Sequence, residues 1–307
     1  MKRPPIQYLL RFAFIAAIVP FLGVTLPSIA RAQESKPCAK GVTLRLNTTA
    51  AAQGALLELT LNSTAPVADL TGTWAENPLP FWAAGSDRVH HALLGIDLER
   101  APGKYDLVVS GQLPESDPFT CKAVVTVKEG HFTIESLKVA DQFVNPNPEE
   151  SARGEKDSAR IHEIYAHPTT ARLWIGQFRT PLDGVATGHN FGKRRVLNGE
   201  KRSPHTGLDM PAKTGTPIHA AQRGRVMLAD DLFFSGNTVI LDHGLGIYTF
   251  YCHMSAIKVA VGDLVNAGTV IGLVGATGRV TGPHLHWSLN VNGARVNPLQ
   301  IVALGVH

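Results

Sequence analysis

From residue 284 onward the chain alternates strictly, with His284, His286, Ser288 and Asn290 on one side and Leu285, Trp287, Leu289 and Val291 on the other. A period of two predicts a β-strand whose apolar face meets a core while both imidazoles leave together on the opposite face. Shorter β-prone runs recur upstream at 224–228, 238–241, 247–253 and 269–274, separated by glycine turns. The half of the chain at 179–307 is therefore expected to be an antiparallel β domain.

The N-terminal half carries the same signal, with β-prone runs at 42–46, 56–61, 68–74, 89–96, 105–110 and 122–127 between turn residues. Ala101-Pro102-Gly103-Lys104-Tyr105-Asp106-Leu107, followed by Val108 and Val109, is a turn leading into an alternating strand, a pattern common in immunoglobulin-like domains. An immunoglobulin-like β-sandwich is expected over 33–132. It holds no titratable constellation, which favours a spacer or docking module over a catalytic one. Residues 145–160 are polar, charged and carry Pro and Gly, and read as a linker or exposed crossing within 133–178. A short helix is expected there from Asp157 to about Ala166, stopped by Pro168.

At 307 residues the chain is long for one domain, so length agrees with two. The formal net charge of +4 shrinks once its distribution is considered. Lys2, Arg3, Arg11 and Arg31 lie in the first 32 residues, which hold no acid; removing those four from the 29 Lys and Arg leaves 25 bases against 25 acids. A near-neutral mature chain gives no footprint for nucleic acid. Residues 1–32 have the form of a secretory signal: a basic start, an apolar stretch at 12–26 and Ala30-Arg31-Ala32 as a cleavage site. Export to the periplasm or cell envelope is expected, with no stable membrane span after signal removal. The alternative is an uncleaved N-terminal anchor. Cys38 and Cys121 bracket the N-terminal half and are available for one disulfide, worth on the order of 4 kcal/mol by loop entropy. Cys252 is left over. In the 247–253 strand it shares a face with Tyr248 and Phe250, opposite His253, and reads as a small buried residue.

Two histidines on one strand face are weak evidence for a metal until joined by His205-Thr206-Gly207-Leu208-Asp209. Pro204, Gly207 and Pro211 oppose a helix there, so His205 and Asp209 are expected on a turn entering a strand. Hydrolytic zinc takes three protein ligands and keeps one position open. His205, Asp209 and one of His284 or His286 meet that count, and alternation does not choose between the two. The histidine left over, with His253, is expected beside the metal, where imidazoles handle protons because no His-Glu-x-x-His helix supplies a glutamate base. His243 is expected to be structural, and His219 to belong to a strand.

The motifs Phe191-Gly192-Lys193-Arg194-Arg195, His205-Thr206-Gly207-Leu208-Asp209, Thr214-Gly215-Thr216-Pro217, Gly236-Asn237, Tyr251-x-His253-x-Ser255, and Thr277-Gly278 through Gly282-Pro283-His284-Leu285-His286 occur in this order. Together they resemble the lysostaphin-type (LytM-like) zinc metallopeptidases that cut peptidoglycan peptides. The resemblance covers about 181–300. It implies that His205, Asp209 and His286 bind one Zn2+, that His253 and His284 line the open side as catalytic residues, and that peptidoglycan peptides are the substrate. Asn237, Tyr251 and Thr281 are candidate contacts to that peptide. Some relatives lose ligands and act as amidase activators, whereas this chain keeps every one. A zinc-holding cell-wall protein that activates another hydrolase is the competing reading. A third is a zinc carboxypeptidase or amidase acting on another bond of the same polymer.

Overall fold

The computed structural model describes residues 34–185 and 188–306, so the expected signal at 1–32 lies outside the described residues. Alternation in the N-terminal half builds two five-stranded sheets. One holds, side by side and antiparallel, Glu34–Ala39, Val42–Leu46, Leu56–Ser63, Val89–Gly95 and Phe81–Ala83. The other runs Ala50–Ala52, Phe119–Lys128, Gly103–Gln112, Ala68–Trp74 and Asn77–Pro78, antiparallel except for its first, parallel pair. Leu57, Leu59 and Leu61 of the first sheet share a core with Leu107, Val109, Val125 and Val127 of the second. Cys38 and Cys121 form the expected disulfide, which ties the outermost strand of the first sheet to the second. Cys252 is a free, buried thiol.

The segment read as a linker is instead largely a 19-residue helix, Pro148–Ala166, which starts nine residues before the expected position. Its N-terminus is a complete capping box. The Asn147 side chain accepts from the Glu150 backbone N–H at 2.9 Å, and Glu150 accepts from the Asn147 N–H at 2.9 Å. Pro148 occupies the first turn, where a missing N–H costs nothing. Ile161, Ile164 and Tyr165 pack on Leu228, Leu232, Ile240 and Tyr248 of the neighbouring sheet. Asp157 accepts from the Phe233 N–H at 2.8 Å, and Tyr248 donates its hydroxyl to the Ile164 carbonyl at 2.9 Å.

The C-terminal half is a nine-stranded antiparallel sheet. Its main path runs Gly207–Pro211, His284–Val291, Ile247–Ile257, Gly236–Gly244, Gly224–Leu232 and Leu264–Val265. Val270–Val274 joins the side of Ile247–Ile257 and carries Pro217–His219, while Ala294–Val296 pairs with His284–Val291. The alternation at 284–291 holds as read: Leu285, Trp287, Leu289 and Val291 all enter one core. A separate three-stranded sheet sets Ile134–Leu137 parallel to Arg194–Leu197, which pairs in turn with Glu200–Pro204.

The two halves share that core. Leu56, Trp82 and Leu93 of the N-terminal sheets belong to the same apolar cluster as Trp174, Phe178 and Trp287. Trp82 meets Trp174 edge-on with ring centroids 5.1 Å apart. Around this contact Arg295 donates two parallel bonds to Asp97 at 2.9 and 2.7 Å, a bidentate geometry that adds orientation to charge. Among the described residues, no helix is long and apolar enough to cross a membrane.

Candidate metal centre

The pairing register distinguishes the two histidines that alternation left equivalent. In the antiparallel pair formed by Gly207–Pro211 and His284–Val291, Asp209 lies opposite His286, whereas His284 lies opposite Pro211. Directly opposed residues point to the same face, so His286 is the imidazole set beside the carboxylate. His205 arrives from the turn before this strand. It is fixed by its N–H to the Lys193 carbonyl at 2.9 Å and by the Gly192 N–H to its own carbonyl at 2.8 Å. Gly207 permits the crossing: a Cβ there would lie 2.8 Å from His286 Nε2 and 2.5 Å from the Trp287 carbonyl.

Three ligand atoms converge. His205 Nε2 is 2.8 Å from His286 Nδ1 and 2.9 Å from Asp209 Oδ1, and His286 Nδ1 is 2.9 Å from the same oxygen. Among the described residues, His205, Asp209 and His286 form the cluster able to hold a metal. Hydrogen bonding on the far side sets the tautomer. A carbonyl only accepts, so His205 Nδ1 must donate to the Asn190 carbonyl at 2.9 Å. That leaves Nε2 as a bare lone pair facing a carboxylate oxygen, an arrangement that calls for a positive charge between them. Two imidazole nitrogens and one carboxylate oxygen match the donor set of hydrolytic zinc.

Two more imidazoles flank this trio by the same device. His253 Nδ1 donates to the Thr277 carbonyl at 2.9 Å and His284 Nδ1 to the Gly282 carbonyl at 2.8 Å. Both Nε2 atoms are thereby left as proton acceptors, with His284 Nε2 3.5 Å from Asp209 Oδ1 and the His253 and His284 ring centroids 4.9 Å apart. His253 reaches this position through a bulge. Asn237 pairs with Met254 and Val239 with Tyr251, so the Ile247–Ile257 strand holds one extra residue between them. His253 has a φ of 65°, in the left-handed region that side chains other than glycine rarely adopt. Tyr251 and Met254 both enter the core as a result, while His253 turns to the metal side. The bulge is braced by the Thr277 hydroxyl and the Asn237 amide, which donate to the Met254 carbonyl at 2.8 and 3.0 Å, and by the His253 N–H to the Ser235 carbonyl at 3.0 Å.

The carboxylate is anchored from behind. Asp209 Oδ2 accepts from Arg195 at 2.6 Å and from the Asn190 side chain at 3.1 Å, and the Asp209 N–H donates to Asn190 Oδ1 at 3.1 Å. Burial opposes ionisation of Asp209, yet its close contacts with His205 and His286 hold the carboxyl far below the usual range. Burial, helped by the neighbouring imidazoles, pushes His253 down to about 3 and His286 down to about 4. Both rings are therefore neutral near pH 7. Burial and the Asp209 charge raise the Cys252 thiol. It stays out of the ligand cluster although it pairs in register with His286.

The site opens into a cleft of about 320 Å³. Asn190, Arg195, Asp209, His253 and His284 form its inner end, Arg279 to Pro283 one wall, and Glu135, Leu137 and Val139 the other. Thr281 stands exposed at the rim, where a peptide contact was expected. Tyr251 does not reach the cleft. It is fully buried, its hydroxyl accepting from the Ala221 N–H and from Thr249, each at 2.9 Å. Asn237 is likewise displaced from its expected role and holds the bulge. His243 is fully buried and bonded to the Arg223 carbonyl and Thr249, and His219 ends the strand Pro217–His219. Sequence reasoning missed Asn190 and Glu135, and gave Thr277 no role although it lay inside a quoted motif. Arg195 lay inside a quoted motif, but nothing in the sequence tied it to Asp209.

Residues 203–298 match peptidase family M23. The peptidoglycan DD-endopeptidase ShyA of Vibrio cholerae serotype O1 is 33% identical over 210 residues, covering 67% of this chain and 44% of that protein. The peptidoglycan DD-endopeptidase ShyC of the same organism is 31% identical over 220 residues, covering 71% of this chain and 49% of that protein. This chain thus spans about half the length of these curated relatives. A crystal structure from Pseudomonas aeruginosa, assigned to peptidase M23, superposes with a TM-score of 0.64 at 29% identity, over 82% of this chain and 94% of that one.

Proposed function

We propose that this chain, whose residues 203–298 match peptidase family M23, is an exported zinc endopeptidase of the lysostaphin type that hydrolyses peptide bonds in peptidoglycan stem peptides or cross-bridges. The observation that carries this reading is the convergence of His205, Asp209 and His286 within 2.9 Å of one another at the inner end of an open cleft, flanked by the imidazoles of His253 and His284. A bound zinc ion supplies Lewis-acid polarisation of the scissile carbonyl and lowers the pKa of water toward ~7. The protein handles the protons. With Nδ1 held by main-chain carbonyls, the Nε2 atoms of His253 and His284 face the cleft as acceptors for the water proton and, once protonated, as donors to the leaving amine. On this reading an extended peptide lies in the cleft between Arg279 to Pro283 and Glu135 to Val139, with Thr281 at the rim available to its backbone.

Export is supported by the Cys38–Cys121 disulfide, which persists in oxidising compartments, and by the form of residues 1–32. We read the two sheets at 34–128 as an immunoglobulin-like sandwich that serves as a fixed scaffold for the catalytic half.

The test is mass spectrometry of cross-linked peptidoglycan incubated with the purified chain, with and without chelator, beside His284→Ala. New peptide amine and carboxyl ends that disappear in both controls are the expected result, with zinc retained by His284→Ala. Intact polymer in the presence of bound zinc would instead identify a regulator of another hydrolase. Full turnover by His284→Ala would remove that imidazole from the mechanism.

A further inference from the structure

Glu135, in the Ile134–Leu137 strand that follows the N-terminal sheets, is paired in register with Arg195, and both precede the matched family region. Its carboxylate accepts from Lys193 Nζ at 2.8 Å and stands 3.6 Å from Arg195 Nε. That Nε is buried and has no hydrogen-bond partner, so Glu135 supplies the anion facing this edge of the guanidinium. The opposite edge donates to Asp209 Oδ2 at 2.6 Å, with Asn190 on the same oxygen at 3.1 Å. The side chains of Glu135, Arg195 and Asp209 are only 22%, 21% and 17% exposed, so water screens these charges weakly.

Building on the metal reading of the site, we propose that Glu135 and Arg195 are positioning residues that hold Asp209 for one-oxygen ligation. With Oδ2 engaged by two donors, Asp209 offers only Oδ1 to the side where His205 and His286 converge. A carboxylate freed of this clamp can swing both oxygens toward a cation and take up the position that a hydrolytic site keeps open for water. Arg195 sets the carboxylate plane. Glu135, fixed in the strand pairing, keeps Arg195 from rotating away. The connection between the two halves is on this reading an outer layer of the metal site.

Zinc affinity by chelator competition and the visible spectrum of the cobalt-substituted chain test this without any substrate. Arg195→Ala is expected to weaken zinc binding about 10- to 100-fold, the usual effect of losing a partner of a metal ligand. Glu135→Gln keeps size and is expected to weaken it by about 3- to 10-fold, with Arg195→Lys falling between wild type and Arg195→Ala. In both Glu135→Gln and Arg195→Ala the cobalt bands should lose intensity as coordination number rises. Glu99→Gln removes a nearby charge that pairs with Arg295 and Arg194 instead, and should match wild type in both readouts. Wild-type affinity and an unchanged cobalt spectrum in Glu135→Gln would overturn the proposal, and this variant decides should Arg195→Ala not fold. Failure of the wild-type chain itself to bind zinc would overturn the metal reading first, which separates the two outcomes.

Discussion

Tyr251 shows how one residue's parity misleads. In an unbroken strand, residues 251 and 253 share a face, so a tyrosine two positions from a catalytic candidate reads as a wall of the same groove. The extra residue at the bulge breaks that parity: Tyr251 stays inward opposite Trp287, while His253 turns to the metal side. Burial pushes its phenol up to about 12, so it works as a neutral hydroxyl. Its removal in Tyr251→Phe leaves the buried Ala221 N–H without an acceptor, which should cost ~1–3 kcal/mol. Urea denaturation should show that loss, while turnover per folded molecule stays at wild type. A selective rise in KM would restore Tyr251 to the substrate. The choice of His286 over His284 was illegible for a related reason: both share a face, and only the partner strand's register sets one beside Asp209.

At the scale of elements, strands were read well and the helix poorly. Strict alternation with one buried face fixes a strand from local sequence, and 284–291 and 42–46 match to the residue. The helix start reads as a linker because Pro and acidic residues dominate it. Those same residues, Asn147, Pro148 and Glu150, are the capping signature, and the apolar face that confirms a helix begins only at Ile161. The bulge has no local signal, since nothing about Cys252 or His253 announces a left-handed backbone. It is imposed from outside by Thr277, whose hydroxyl donates to the Met254 carbonyl and accepts from the Asn237 N–H. Thr277→Val should therefore let His253 drift while the ligand trio stays intact. Zinc content is expected to remain at one per chain and kcat to fall at least about tenfold, because a displacement of an ångström can cost a hundredfold. Thr277→Ser should restore most of it. Unchanged kcat in Thr277→Val would mean that the bulge stands without this brace.

At the scale of the whole molecule, length and turn spacing predict two domains but not the core that the two halves share, because a shared core depends on faces that only meet after folding. Trp82, Leu56 and Leu93 read locally as sandwich residues and finish in the catalytic core. The polar counterpart of this contact is Asp97 with Arg295, which carries a testable pH dependence. Burial alone would raise the Asp97 carboxyl. Hydrogen bonds from the Arg295 side chain and backbone and from the Glu99 N–H, together with the Arg295 charge, outweigh burial and lower it. A carboxyl lowered on folding adds stability above its unfolded pKa and loses it as pH falls through the folded value. The difference in stability between wild type and Asp97→Asn should thus be constant from neutral pH down to about 4 and shrink below that. Melting temperatures measured for both proteins between pH 7 and 2.5 read this directly. Convergence of the two curves only at the acid end is the expected result. A gap that persists at the lowest pH would assign the contribution of Asp97 to shape instead of charge, and the union of the halves would rest on the tryptophan contact.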